Sequence, residues 1–239
     1  MAFFVLFLIS KEKKTLDWTD YAGSIALLAR LIVLVAVHKK LCYKFICFFA
    51  AYSMLIFMTS ADIDFQPTIQ NEWIIAQPLK PDDFENLYVA ASDPLVWEQH
   101  PNKNRYQREV FENYFKGAID SGGAFLVKDA MTNEVIGSSR YSDYNAATNA
   151  VAMGYTFFKR SHWGRGHNHA LKIGMLNHIF QFVDTVQFFI GADNKRSQIS
   201  IERFGALKTG EEEMAYFGEA PILNFVYTIT KEHWLKLNK

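Results

Sequence analysis

The sequence predicts a mixed α/β (α+β) sheet preceded by an apolar N-terminal extension. Three observations lead there. Beyond residue 60, short apolar runs of strand length alternate with amphipathic runs of helical period. A glycine-rich turn separates one of those strands from one of those helices. The first sixty residues differ in composition from everything that follows.

Residues 1–60 hold seven of the 25 Lys and Arg and three of the 25 Asp and Glu, leaving 18 against 22 for the remainder. The zero net charge therefore conceals a basic, apolar front and a mildly acidic body. A body of that balance excludes nucleic acid as an expected partner, because phosphate binding needs clustered Lys and Arg. It suits a cationic amine. Cys42 and Cys47 both lie in the front, with no second Cys or His pair to complete a zinc site, so no metal is expected. A body without cysteine needs no oxidising compartment, which fits the cytoplasm.

Three apolar stretches occupy the front: residues 2–9, 22–37 with Arg30 inside, and 45–58. Each is shorter than the roughly 20 residues that span a bilayer core. The first has no basic residue before it and no small-residue cleavage site after it, unlike a signal peptide. Two readings stay open. A membrane hairpin would carry His38, Lys39, Lys40 and Lys44 in its connection, and the positive-inside tendency would then deliver the body to the non-cytoplasmic side. Alternatively the protein starts at Met58, and residues 1–57 are upstream translated sequence.

In the body, residues 73–77 predict a strand. Asp82 and Asp83 precede Phe84, Leu87, Tyr88 and Ala91 at helical spacing, and Asp93-Pro94 stops that helix. Residues 107–120 predict a second helix, with Val110, Phe111, Tyr114, Phe115 and Ala118 on one face and Ser121-Gly122-Gly123 at its end. These aromatics fit core packing. Residues 124–128 and 134–141 predict a strand pair, and residues 150–158 another strand whose internal Gly154 marks a bulge or a close backbone approach. A polar, glycine-containing loop and a helix over 168–183 follow. A strand over 186–192, a short helix over 197–204 closed by Gly205, and an alternating strand over 224–230 complete the order β-α-α-β-β-β-α-β-α-β.

The segment Ser161-His162-Trp163-Gly164-Arg165-Gly166-His167-Asn168 lies between a strand and an amphipathic helix. Its glycines let backbone approach a ligand, and the free N–H groups of a first helical turn form an anion site that a pyrophosphate would occupy. The segment lacks the Lys-Ser/Thr pair of a Walker loop and the spacing of a dinucleotide fingerprint, so phosphoryl transfer and Rossmann chemistry are not expected.

In these residues the chain resembles the GNAT superfamily of N-acetyltransferases, and within it the branch of ribosomal-protein N-terminal acetyltransferases. The resemblance covers residues 71–236, taken as the acetyltransferase domain. The family's loop, Gln/Arg-x-x-Gly-x-Gly/Ala, is matched by Trp163-Gly164-Arg165-Gly166-His167-Asn168, with Asn168 in place of Gly or Ala. Asn194-Lys195-Arg196-Ser197 and then Phe204-Gly205-Ala206 are similar to the family's Asn-x-x-Ser and terminal Gly elements. The resemblance implies that the parallel strands 150–158 and 186–192 splay apart. It implies that the pantetheine of acetyl-CoA, the co-substrate, pairs with backbone near Thr156 and Phe158. It further implies that loop amides from Gly164 to Asn168 hold the pyrophosphate, that Arg165 meets a phosphate or the adenosine side, and that Asn194 and Ser197 line the thioester end.

The implied reaction is transfer of acetyl to a primary amine of a small molecule or a protein N-terminus by direct attack. Such an amine has an unperturbed pKa of about 10.4, so a base or a water chain must deprotonate it. Many relatives place a Glu before the bulge, where this chain has Val151-Ala152-Met153, and a Tyr where it has Ile201. His162, Asp143 and Tyr144 are the base candidates, each weighed against a solvated loop role. Ser197 is the best acid for the departing thiolate, against a helix N-cap role for the same hydroxyl. Backbone N–H near Tyr155 or Phe157 would stabilise the oxyanion. A non-catalytic acyl-CoA-binding module and a membrane-attached acetyltransferase are the alternatives. The loops 100–106 and 210–221 would select the acceptor, with Glu211, Glu212 and Glu213 as a cation-attracting or merely solvated run. A homodimer is compatible with the sequence and not demanded by it.

Overall fold

In the computed structural model, which describes residues 63–215 and 220–237, the chain runs β1 (Ile69–Gln70), β2 (Ile74–Pro78), α1 (Phe84–Ala91), α2 (Arg108–Asp120), β3 (Ala124–Asp129), β4 (Val135–Asn145), β5 (Ala150–Phe158), α3 (His167–Ile179), β6 (Thr185–Gly191), α4 (Lys195–Glu202), β7 (Leu207–Ala215), β8 (Pro221–Thr230) and α5 (Lys231–Leu237). The expectations for the apolar front fall outside the described residues. Residues 63–239 form a compact unit by themselves. Among the described residues no helix is long and apolar enough to cross a membrane.

The strands form one sheet in the order β1-β2-β3-β4-β5-β6-β8-β7, antiparallel throughout except for the parallel pair β5–β6. Both faces are covered, and β3 shows why. Phe125 and Val127 join one apolar cluster with Leu171, Met175 and Ile179 of α3. Ala124 and Leu126, pointing the other way, join a second with Leu87 of α1 and Phe111 and Ala118 of α2. A strand buried on both sides reads as a continuous apolar run, as Ala124–Asp129 largely does. Each large side chain removed from water stabilises by about 1.5–3 kcal/mol, so the two helical layers hold the sheet that carries the site.

On β5 the facing pattern breaks. Val151 and Met153 point to the α3 side, yet Phe157 packs with the α1/α2 cluster and Phe158 returns to the α3 side. A period of two cannot produce that without an extra residue. The register supplies it: Arg140 pairs with Gly154 and Ser138 with Phe157, so three steps on β5 answer two on β4. The bulge expected at Gly154 falls immediately after it, and Tyr155, with φ +52°, takes the left-handed conformation.

Three elements went unforeseen, the first being the two-residue strand β1. Residues 210–215, part of a segment expected to be a loop, are strand instead: residues 207–215 form β7, paired with β8 and placing Glu211, Glu212 and Glu213 opposite Phe225, Asn224 and Leu223. As an edge strand it has few apolar positions, and its charges suit an exposed edge. The helix α5 follows β8 directly and buries Trp234.

Candidate active site

The parallel ladder between β5 and β6 ends early. It pairs Ala150, Val151 and Ala152 with Thr185, Val186 and Gln187, and then stops, although β5 continues to Phe158 and β6 to Gly191. Beyond that point the strands part, and a cavity of about 640 Å³ opens between them. Thr156 and Phe158 line it from β5, Phe188 and Ile190 from β6.

The turn into α3 borders the same cavity. Gly164 and Gly166 have φ of +72° and +93°, the left-handed region that favours glycine. Gly166 is the N-cap of α3 and no side chain caps that helix, so its first-turn amides remain available at the cavity's edge, where Gly164, Gly166 and Asn168 all lie. The turn is held from two sides. Trp163 Nε1 donates to the Phe158 carbonyl at 2.8 Å, while the Arg196 guanidinium stacks over the Trp163 ring at 4.2 Å. Asn168, in place of a small residue, donates through Nδ2 to Ser200 Oγ at 3.1 Å and so links α3 to α4.

Two side chains of the loop lie outside the cavity. Arg165 is exposed and is not among the residues lining the cavity. The His167 side chain turns inward, away from it, and its Nε2 meets Asp129 Oδ2 at 2.8 Å. His162 Nε2 lies 3.8 Å from the same oxygen, and the three residues bring ligand-type atoms within 4.8 Å of one another. Cysteine and histidine spacing in the sequence gave no sign of this cluster, since Asp129 comes from the β3–β4 hairpin. Burial, then the neighbouring His167, lowers the His162 pKa below its ordinary 6.5. The Asp129 carboxyl is held well below its usual range, first by the Thr132 amide and then by His167.

At the other end of the cavity, buried Asn194 is the N-cap of α4, its Oδ1 accepting from the Ser197 amide at 3.1 Å. The capping role weighed for Ser197 therefore belongs to Asn194. Ser197 lines the cavity, and among the described residues no hydrogen bond engages its hydroxyl.

Of the base candidates, Asp143 lines the cavity, with φ +53°, and so does His162. Tyr144 does not, and its hydroxyl donates to Asn149 Oδ1 at 3.2 Å. Asp143 is the one carboxylate among the described lining residues, against the guanidinium groups of Arg105, Arg196 and Arg203, so the lining suits an anion. His100, half-buried, has its pKa pushed down to about 3, first by desolvation and then by the charges of Arg105 and Arg196, and stays neutral.

The polar groups that sequence reasoning missed lie behind the bulge. Lys172 of α3 is buried, and its Nζ donates to Thr156 Oγ1 at 2.7 Å and to Ser139 Oγ at 3.3 Å. On the opposite face the buried Arg140 guanidinium lies 3.3 Å over the Tyr155 ring. A signal for Lys172 existed: it precedes Met175 and Leu176 by three and four residues, which places it on the buried face of an amphipathic helix.

A family model described as an acetyltransferase (GNAT) domain matches residues 74–207. Solved structures share the fold. A GCN5-related N-acetyltransferase from Brucella melitensis is 16% identical over 72% of this chain and 82% of that chain, with a TM-score of 0.63. A spermidine N-acetyltransferase from Vibrio cholerae, solved with CoA and spermine, is 15% identical over 69% and 99%, with a TM-score of 0.54. A Vibrio cholerae protein provisionally named a ribosomal-protein-serine acetyltransferase is 14% identical over 69% and 97%, with a TM-score of 0.55. At these identities the likeness carries the fold and not the acceptor. Among curated proteins, none matches this chain.

Proposed function

The chain belongs to the GNAT acetyltransferase family, and from that premise we propose that it transfers acetyl from acetyl-CoA to a primary amine of a small molecule or a protein N-terminus by direct attack. The observation that carries this reading is the parting of β5 and β6 beside the uncapped N-terminus of α3. An elongated thioester with an anionic tail fits that shape, its pyrophosphate on the amides from Gly164 to Asn168. Trp163 fixes the turn, and His167 holds it from beneath through Asp129. Pantetheine follows the free edge of β5 near Thr156 and Phe158, leaving the thioester close to Asn194 and Ser197. Arg165, exposed at the tip of the turn, meets the phosphate or adenosine side from outside the cavity.

The acceptor nitrogen forms a bond to the thioester carbonyl carbon, the C–S bond breaks, and CoA leaves as a thiolate. Ser197, facing the cavity, delivers a proton to that sulfur. Backbone N–H beside the bulge, near Tyr155 or Phe157, faces the developing oxyanion. Residues 71–236 form the acetyltransferase domain in this reading, and 1–60 an extension to it. Dependence on acetyl-CoA and a cysteine-free body fit the cytoplasm. Resemblance of the Trp163 to Asn168 loop to the ribosomal-protein branch makes a protein N-terminus the first acceptor to try.

The test is calorimetric titration of the full-length chain with acetyl-CoA, beside Gly166→Trp. Micromolar binding that the variant loses supports the reading and leads to an acceptor panel of spermidine and of peptides beginning with Ser or Ala. A folded parent that binds no acetyl-CoA overturns it.

A further inference from the structure

The acceptor amine must lose a proton before it attacks, and this chain has no carboxylate on β5 ahead of the bulge. A different group occupies the place where the two strands part. Lys172 extends from α3 into the wedge: its Nζ is bonded to Thr156 of β5 and to Ser139 of β4, and it lies 5.8 Å from the centre of the Phe188 ring of β6. Ser139 Oγ and Thr156 Oγ1 are themselves 2.8 Å apart, and both reach the Gly154 carbonyl, at 3.3 and 3.4 Å. A lysine amine, two hydroxyls and a carbonyl therefore form one connected network that opens on the cavity through Thr156 and Lys172.

We propose, resting on the acetyl-CoA reading above, that Lys172 is the proton acceptor of the transfer, reached from the acceptor amine through the Thr156 hydroxyl.

The surroundings favour a neutral amine. Lys172 meets Ser139 from β4, Thr156 from β5 and Phe188 from β6, and the two hydroxyls reach the Gly154 carbonyl. The Tyr141 hydroxyl is committed to the Met175 carbonyl at 2.6 Å, and burial raises its pKa well above 10, so it does not titrate near neutrality. Arg140, next to Ser139 in sequence, points to the opposite face over Tyr155. Among the described residues no carboxylate pairs with Lys172. Burial alone therefore acts on the amine and pushes its pKa down to about 7.

The protons balance. The acceptor ammonium gives one proton to Thr156 Oγ1 as the Thr156 hydroxyl passes its own to the Lys172 nitrogen. The freed amine attacks the thioester carbon, the C–S bond breaks, and the second nitrogen proton goes to the departing sulfur by way of Ser197. Lys172 then releases its proton to solvent through the cavity mouth, so each turnover yields amide, CoA thiol and one proton.

Lys172→Met and Lys172→Arg are the variants, measured in the full chain. Methionine keeps the stem's volume; arginine keeps charge and donors yet does not deprotonate. Acetyl-CoA binding by the parent comes first, and its absence overturns both this proposal and the reading beneath it. Given binding, the expected result is that both variants keep acetyl-CoA affinity within about threefold, lose about 100-fold or more in kcat/KM with the best acceptor of the panel, and lose the pH dependence near 7. A Lys172→Met protein that keeps its turnover and pH profile overturns the role of the lysine alone. A variant that does not fold leaves the decision to the parent: the 13Cε resonance of Lys172 should titrate near pH 7 and move when acetyl-CoA binds. A resonance that titrates above pH 9, or is unmoved by acetyl-CoA, overturns the proposal.

Discussion

His167 Nε2 meets Asp129 Oδ2 at 2.8 Å, which ties the first residue of α3 to a hairpin 38 positions earlier. The other carboxylate oxygen accepts from the Met131 and Thr132 amides and the Thr132 hydroxyl, so one buried side chain fixes both the β3–β4 turn and the start of the helix. Asp129→Ala strands these donors and should cost about 1–3 kcal/mol of stability. The carboxyl is shifted below its ordinary 3.8, chiefly by the Thr132 amide and His167, so the folded form binds its proton more weakly than the unfolded form. That stabilisation is complete at neutral pH and is lost as pH falls from about 4 toward the lower folded value. Thermal melts of parent and variant should therefore differ at pH 7 and converge toward pH 2.

Gly164 offers a cleaner test of the loop than bulk does. A Cβ added there meets nothing within 4 Å, so Gly164→Ala tests the +72° φ alone. A left-handed alanine costs about 1–2 kcal/mol, and a turn that relaxes to escape it moves amides away from the proposed anion site. About a tenfold loss of acetyl-CoA affinity by calorimetry is expected, with the melting temperature slightly lowered. Unchanged affinity would mean that this turn does not hold the ligand.

Gly137 on β4 has no such room. An added Cβ would lie 2.1 Å from the Phe157 carbonyl oxygen, beside the bulge, and only backbone movement relieves that. Gly137→Ala should destabilise by about 3 kcal/mol in denaturant titration. Gly210 on the exposed edge strand β7 meets nothing within 4 Å, and its alanine variant should stay within about 0.5 kcal/mol of the parent.

Asn194 and Ser197 separate structure from chemistry at the proposed thioester end. Asn194→Ala removes the cap on the Ser197 amide and should cost about 0.5–2 kcal/mol. Ser197→Ala leaves that bond in place. It should melt like the parent, bind acetyl-CoA like the parent, and turn over at least about tenfold more slowly if its hydroxyl protonates the thiolate. Equal turnover would assign the proton to another donor.

Much of this molecule follows from local pattern. The strand 150–158, the glycine turn after it, the helix behind that turn and the order Asn194, Ser197, Gly205 are legible because strand period, helix period and glycine chemistry act over a few residues. Edge strand β7 was not legible: it buries little, and without a buried face a strand loses its alternation. The place of the bulge was half legible, since Gly154 marks the region while Tyr155 takes the strained backbone. The polar interior is a different matter. Asp129 with His167, Ser139 with Lys172 and Arg140 with Tyr155 join residues between 15 and 38 positions apart. A buried lysine needs partners that compensate the water it loses, and those partners lie on neighbouring strands. Sequence by itself determined most of the elements, their order and the glycine turn, because short-range sterics and hydrophobic period decide them. Only the tertiary structure decided which polar side chains meet inside, because the pairing of β4, β5 and β6 beneath α3 sets those distances.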